Sequence, residues 1–153
     1  MEPGPVLEDI PLYPAPWHRY QLNQMPVNDV GTCFACGKHN KHGMHLDIRK
    51  TKKGVELDFV APERFEGWRG VIHGGIVATI LDELIAWACT VRGYDAVTGE
   101  LNIRFRQALK VGQKVHGIGR ITEEHGCLLR GESELVDASG KVIAQALGKM
   151  MKA

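Results

Sequence analysis

One stretch gathers side chains and glycines suited to catalysis, His73-Gly74-Gly75 followed by Asp82 and Glu83. Two glycines after a histidine open a run in which Ile76, Val77, Ile80, Leu81, Leu84, Ile85 and Ala88 recur at three- and four-residue spacing. That period predicts an amphipathic helix over 74–91. The first turn of a helix leaves backbone N–H groups without intrahelical acceptors, and these can face an anion or an oxyanion. A carboxylate among apolar helix residues needs a reason to be there, because burying it unpaired is costly. Attack on an activated carbonyl uses both features: fixed donors for the developing negative charge, and a group that activates water or attacks directly. Gly74 is the candidate donor and Asp82 the candidate base or nucleophile. The plain alternatives are a tight turn that excludes side chains and a carboxylate satisfied by its neighbours across a helix contact. His73 offers an imidazole for general acid or base work, but its place before the glycines suits loop-holding or helix-capping better than proton transfer. Glu83 lies about 100° around the helix from Asp82. It reads as a second pocket carboxylate or as a capping, pairing or anchoring residue.

Period and punctuation predict the secondary structure around these groups. Gly75, Ala78, Asp82, Ala86 and Cys89 line up as a stripe of small residues opposite the apolar one, suited to close approach by a backbone or substrate. Alternation predicts strands over 44–50 and 55–60, joined by Lys52-Lys53-Gly54 as a hairpin. Further strands are expected over 97–107, 114–123, 126–137 and 141–150, the last three as a meander. Residues 62–69 read as a loop. About six antiparallel strands and one long helix make an α+β domain. A parallel doubly wound sheet would need several crossover helices. An open sheet has two edges that need protection or a partner, which points to a symmetric dimer.

Six of the seven prolines fall within residues 1–28, so 1–29 is expected to be an irregular arm packed on a single domain over 30–153. The 153 residues are 44% hydrophobic and 24% charged, enough for a true core. A formal charge of +1 argues against bulk nucleic-acid binding. The sequence shows no cationic, apolar leader and no run near the roughly 18 apolar residues of a membrane span. A cytoplasmic protein without a membrane partner is therefore expected. Of four cysteines, Cys33 and Cys36 form a C-x-x-C pair while Cys89 and Cys127 stand alone, a poor disulfide framework. The pair offers half a zinc site, with His39, His42 and His45 nearby.

His73-Gly74-Gly75, with Asp82 on the following helix after a six-residue gap, resembles the hotdog-fold acyl-CoA thioesterases. It is most similar to the phenylacetate-pathway (PaaI-like) and mammalian THEM-type branches. The resemblance extends over roughly residues 30–150. It includes Cys33-Phe34-Ala35-Cys36-Gly37 with Asn40 and Gly43, Thr98 with Asn102 on the next strand, and the closing meander. It implies a curved sheet wrapped around one helix, a homodimer or dimer of dimers, and active sites between subunits. It implies that the Gly74 N–H polarises a thioester carbonyl and that Asp82 comes from the opposite subunit. Thr98 would orient water or the carboxylate. No metal or other cofactor is implied; coenzyme A enters with the acyl-CoA substrate, and the cysteine loop is a metal-free entrance. Gly75, Asn40, Gly67, Trp68, Asn102, Arg104, Arg106 and Lys110 are the expected substrate contacts. The three cations would meet phosphates, or else simply keep a strand face solvated. Trp68, Trp87 and Phe65 would shape an acyl or aryl pocket, or pack the core. One position departs from the pattern: several relatives carry Asn or Gln where Gly67 stands, so Glu66, Asn40 or a backbone group must replace that amide. The expected activity is acyl-CoA hydrolysis. A non-hydrolytic acyl-CoA binder is the alternative, and a dehydratase is disfavoured because its relatives place His and Asp differently.

Overall fold

The computed structural model describes residues 29–153. The arm expected over 1–29 lies, up to residue 28, outside the described residues. Six strands and one long helix follow: β1 (Arg49–Lys50), β2 (Val55–Val60), α1 (Gly74–Thr90), β3 (Ala96–Phe105), β4 (Lys114–His125), β5 (Leu128–Asp137) and β6 (Val142–Lys152). The strands form one antiparallel sheet in the order β1-β2-β4-β5-β6-β3. This is the α+β hotdog fold, a six-stranded sheet packed against one central helix.

Alternation sets the core. Val115, Gly117 and Gly119 of β4 are buried, while Ile118 and Arg120 between and beyond them point away. Ala144, Ala146, Gly148 and Met150 of β6 repeat the pattern. Against these faces α1 buries Ile80, Leu81, Leu84 and Ile85 completely. Glycines let the helix settle deep into the curved sheet. A Cβ on Gly119 would stand 2.6 Å from the Leu84 carbonyl oxygen, and one on Gly131 2.6 Å from Ile85 Cγ2. The buried Ser133 hydroxyl donates to the Leu81 carbonyl at 2.8 Å, satisfying its own polar atom inside the core. The helix stops where Gly93 takes φ 87°, with the Gly93 N–H bonded to Thr90 O and the Tyr94 N–H to Cys89 O.

Three expectations need correction. The strand expected over 44–50 is reduced to Arg49–Lys50. His45 takes φ 54°, and the N–H groups of Met44 and Leu46 bond to Phe34 and Ala35 carbonyls. The stretch therefore straps the cysteine loop down instead of pairing in the sheet. Residues 62–69 contain a 3-10 turn at Glu63–Phe65, which buries Phe65. Within the small-residue stripe, Ala78, Asp82 and Ala86 are half-buried as expected, but Cys89 is fully buried in the core. Among the described residues no helix is long and apolar enough to cross a membrane.

Candidate active site

His73 caps α1 with its own side chain: its Nδ1 accepts the Gly75 N–H at 2.8 Å. The bond satisfies one of the N–H groups at the helix start. Ile76 N–H and Val77 N–H both reach the His73 carbonyl. The Gly74 N–H has no protein acceptor among the described residues and lies at the exposed start of the helix. It borders a cavity of about 730 Å³ lined by Gly67, Trp68, His73, Gly74, Phe105 and Arg106, among others. A Cβ on Gly74 would come no closer than 3.7 Å to the Phe105 ring, so the opening is real space. Trp68 is 84% exposed at this mouth. The loop behind it is held by backbone bonds from Gly67 N–H to Val71 O and from His73 N–H to Phe65 O. At Gly67 a Cβ would stand 3.1 Å from His73 Cα. A side chain at position 67 has little room here.

Asp82 is half-buried, and its Oδ1 accepts the Thr98 hydroxyl at 2.7 Å. The pairing depends on an irregularity in β3. Thr98 stands opposite the buried Met150 of β6, yet Glu100 stands opposite the half-buried Lys149, because the register shifts between Thr98 and Glu100. The extra residue of this bulge puts Thr98 and Leu101 on the helix side and Glu100 and Asn102 on the outer side. Asp82 does not line the cavity at Gly74. It follows Gly74 by eight residues, about 12 Å along a helix rising 1.5 Å per residue. One carbonyl cannot sit within about 3 Å of both groups in the same chain.

The remaining candidates separate. Glu83 does not join Asp82; its Oε1 accepts Trp87 Nε1–H at 3.2 Å and faces Cys33 Sγ at 3.8 Å. Burial, reinforced by the neighbouring Glu83, pushes the Cys36 thiol up to about 12. Asn40 is committed to its own loop, donating to Thr32 O and accepting from the His42 N–H. Asn102 and Arg104, with Arg106, border a second cavity of about 870 Å³ on the sheet face away from α1. There Asn102 donates to Glu100, which pairs with Lys149. Only Arg106 borders both cavities, while Lys110 and Gly75 border neither. Sequence reasoning missed Phe105, whose ring is 53% exposed in the first cavity. Its signal was an aromatic on the core-facing alternation of β3 at the point where the strand runs past the core.

A family model described as Thioesterase superfamily matches residues 69–144. A Saccharolobus solfataricus protein that carries a provisional esterase name is 31% identical over 105 residues, covering 67% of this chain and 73% of that protein. This chain belongs to the thioesterase superfamily. Another superfamily relative, Acyl-coenzyme A thioesterase 13 of Mus musculus, is 32% identical over 79 residues, which are 50% of this chain and 56% of that protein. The match thus spans little more than half the length of that curated relative. Among solved structures, a Streptococcus mutans protein bound to acetyl-CoA superposes with a TM-score of 0.67 at 21% identity, over 71% of this chain and 88% of that one. The E. coli PaaI protein from the phenylacetic acid degradation operon gives 0.67 at 20% identity, over 72% and 80%. At such identities the likeness speaks for the shared hotdog fold of the superfamily.

Proposed function

We propose that the protein hydrolyses an acyl-CoA thioester to a free carboxylic acid and CoA, at a site shared by two copies of the chain. The observation that carries this reading is the half-buried Asp82 carboxylate held by the Thr98 hydroxyl at 2.7 Å, in a member of the thioesterase superfamily. The unpartnered Gly74 N–H would receive the thioester oxygen and stabilise its negative charge as the carbonyl carbon becomes tetrahedral. Asp82 of the partner subunit would take a proton from water as it attacks, or attack first to form an anhydride that water then opens. Either route adds hydroxide to the acyl carbon and leaves the sulfur of CoA as the departing group, protonated to the thiol. The separation of about 12 Å within one chain supports assembly from two chains. So does β3, a ten-residue strand with no neighbour on its outer side among the described residues. A homodimer, alone or doubled into a tetramer, is the assembly this reading requires.

Trp68 and Phe105 would wall the acyl group, and Arg106 at the rim is the best placed of the three cations for CoA phosphates. His73 serves by fixing the turn that frees the Gly74 N–H. The reaction is assigned to the cytoplasm, a reading supported by four cysteines that are all unpaired thiols. A second reading, acyl-CoA binding without turnover, is favoured by one observation, the crowded Gly67 backbone in place of an amide side chain.

Release of free thiol across a panel of alkyl- and aryl-CoA esters tests the two. Turnover is expected, with Asp82→Asn losing about 10²-fold or more in kcat. If no ester is cleaved while acyl-CoA still binds, the hydrolase reading fails and the binding reading stands.

A further inference from the structure

We propose that Cys33, Cys36 and Glu83 bind a zinc ion, a site separate from the hydrolytic one and absent from the expectation of a metal-free loop. The two sulfurs and a Glu83 carboxylate oxygen all lie within 4.8 Å of one another. Tetrahedral zinc, with bonds of about 2.3 Å to sulfur and about 2.1 Å to oxygen, holds its ligand atoms roughly 3.6–3.8 Å apart. Cys33 Sγ already stands 3.8 Å from Glu83 Oε1. Two thiolates select a soft or borderline ion over magnesium or calcium, and the carboxylate favours zinc over monovalent copper.

Backbone bonds and packing hold the frame around the three groups. The Gly37 N–H closes the cysteine turn onto Cys33 O at 2.9 Å. A Cβ on Gly37 would stand 2.4 Å from Cys33 N and 2.5 Å from Cys33 O, so this turn accepts only glycine after the second cysteine. Ala35, between the two cysteines, is buried in the core, and its carbonyl holds the Leu46 N–H. On the helix side, Trp87 Nε1–H fixes the Glu83 carboxylate at 3.2 Å, the outer-shell hydrogen bond that ligating carboxylates use. No Lys, Arg or His among the described residues forms an ion pair with Glu83, although it faces two groups that become anionic on binding. A divalent cation supplies the missing positive charge.

The histidines do not complete the set. His45 Nε2 is bonded to the Asn40 carbonyl, and the His39 ring packs against Gly31. Three protein ligands leave the fourth tetrahedral position to water or another exchangeable ligand. Binding converts two thiols to thiolates and releases two protons to solvent.

The test uses the reduced full-length protein after chelator treatment, titrated with cobalt(II) and then with competing zinc(II). One cobalt per chain is expected, with a thiolate-to-cobalt charge-transfer band that zinc displaces. The band should be lost or halved in Cys33→Ser and in Cys36→Ser, and unchanged in Cys127→Ser. Glu83→Gln should keep the thiolate band, alter the visible ligand-field bands and weaken zinc binding at least tenfold. Far-UV circular dichroism follows folding; if Cys36→Ser does not fold, Cys33→Ser at its exposed site and Glu83→Gln still decide. Failure of the folded, reduced protein to bind cobalt overturns the site. So does an unchanged band in Cys33→Ser, or a Cys33–Cys36 disulfide that forms in the presence of equimolar zinc. None of these readouts depends on thioester turnover, so the site and the hydrolase reading fail or stand independently.

Discussion

At the scale of single residues, the hydroxyl of Thr98 and the imidazole of His73 make opposite predictions. Thr98 holds Asp82, the group assigned to the attack. A hydrogen bond to a charged group contributes about 1.5–3 kcal/mol. Thr98→Ala should therefore lower kcat about 10–100-fold, and Thr98→Ser should recover most of it; equal rates for all three would remove Thr98 from the mechanism. His73 spends its Nδ1 on the Gly75 N–H. Loss of such a cap costs about 1 kcal/mol, or roughly 2–4 °C in Tm for a chain of this size. His73→Asn should keep part of that stability and the shape of the pH–rate profile. Disappearance of a limb of that profile would instead give His73 a proton to carry. Gly74 and Asp82 stand out as candidates from residue types, because a glycine pair before an apolar helix and a carboxylate within it are both unusual. The place of Glu83 was not. A helical projection gives its angle, but only the fold brings the loop at Cys33 and Cys36, some fifty positions earlier, onto that angle.

At the scale of elements, the six strands and α1 were legible from period, and the errors lay where backbone bonding overrode it. The alternation of Met44, Leu46 and Ile48 looks like a strand, yet the first two are buried beneath a loop that takes their N–H groups. The contact between α1 and the sheet depends on glycines whose role no pattern announces. Gly119→Ala would push a methyl against the Leu84 backbone. A loss of about 1–3 kcal/mol is expected, read as a lower Tm by calorimetry; an unchanged Tm would mean that the helix can retreat without penalty. The outer strands are tied by charge. Arg49 of β1, beside Asp58 of β2, holds that carboxyl below its ordinary value of 3.8, and His116 of β4 assists. A depressed folded-state pKa contributes stability above the unfolded value and loses it as pH falls through the folded one. Thermal unfolding should therefore drop in Tm as pH falls below about 4, with Asp58→Asn giving a flatter curve. Glu124, lowered first by Lys152 and then by Tyr94, and Asp137, lowered first by Ser139, add to the same acid limb.

At the scale of the whole molecule, the proposed site, with Gly74 and Asp82 drawn from two chains, would make activity a property of the assembly. Specific activity should fall on dilution below the dimer dissociation constant, followed in parallel by light scattering. Co-folding an Asp82→Asn chain with a chain disabled at the helix start, Gly74→Val, should restore one competent site per mixed dimer. Activity of a proven monomer would refute the shared site. The edge offered for that pairing, β3, also carries the bulge between Thr98 and Glu100. Because side chains of a strand alternate, faces along β3 are assigned by odd and even counting, and the bulge changes the parity once. Removing Gly99 would restore uninterrupted counting and leave Thr98 towards the helix, with Glu100 and Asn102 on the opposite face, as they already stand. The contact that aims Asp82 would survive such a loss. The bulge is therefore the point where β3 can shorten by one residue unharmed, whereas a deletion within the regularly paired residues 101–105 would turn one part of the strand over.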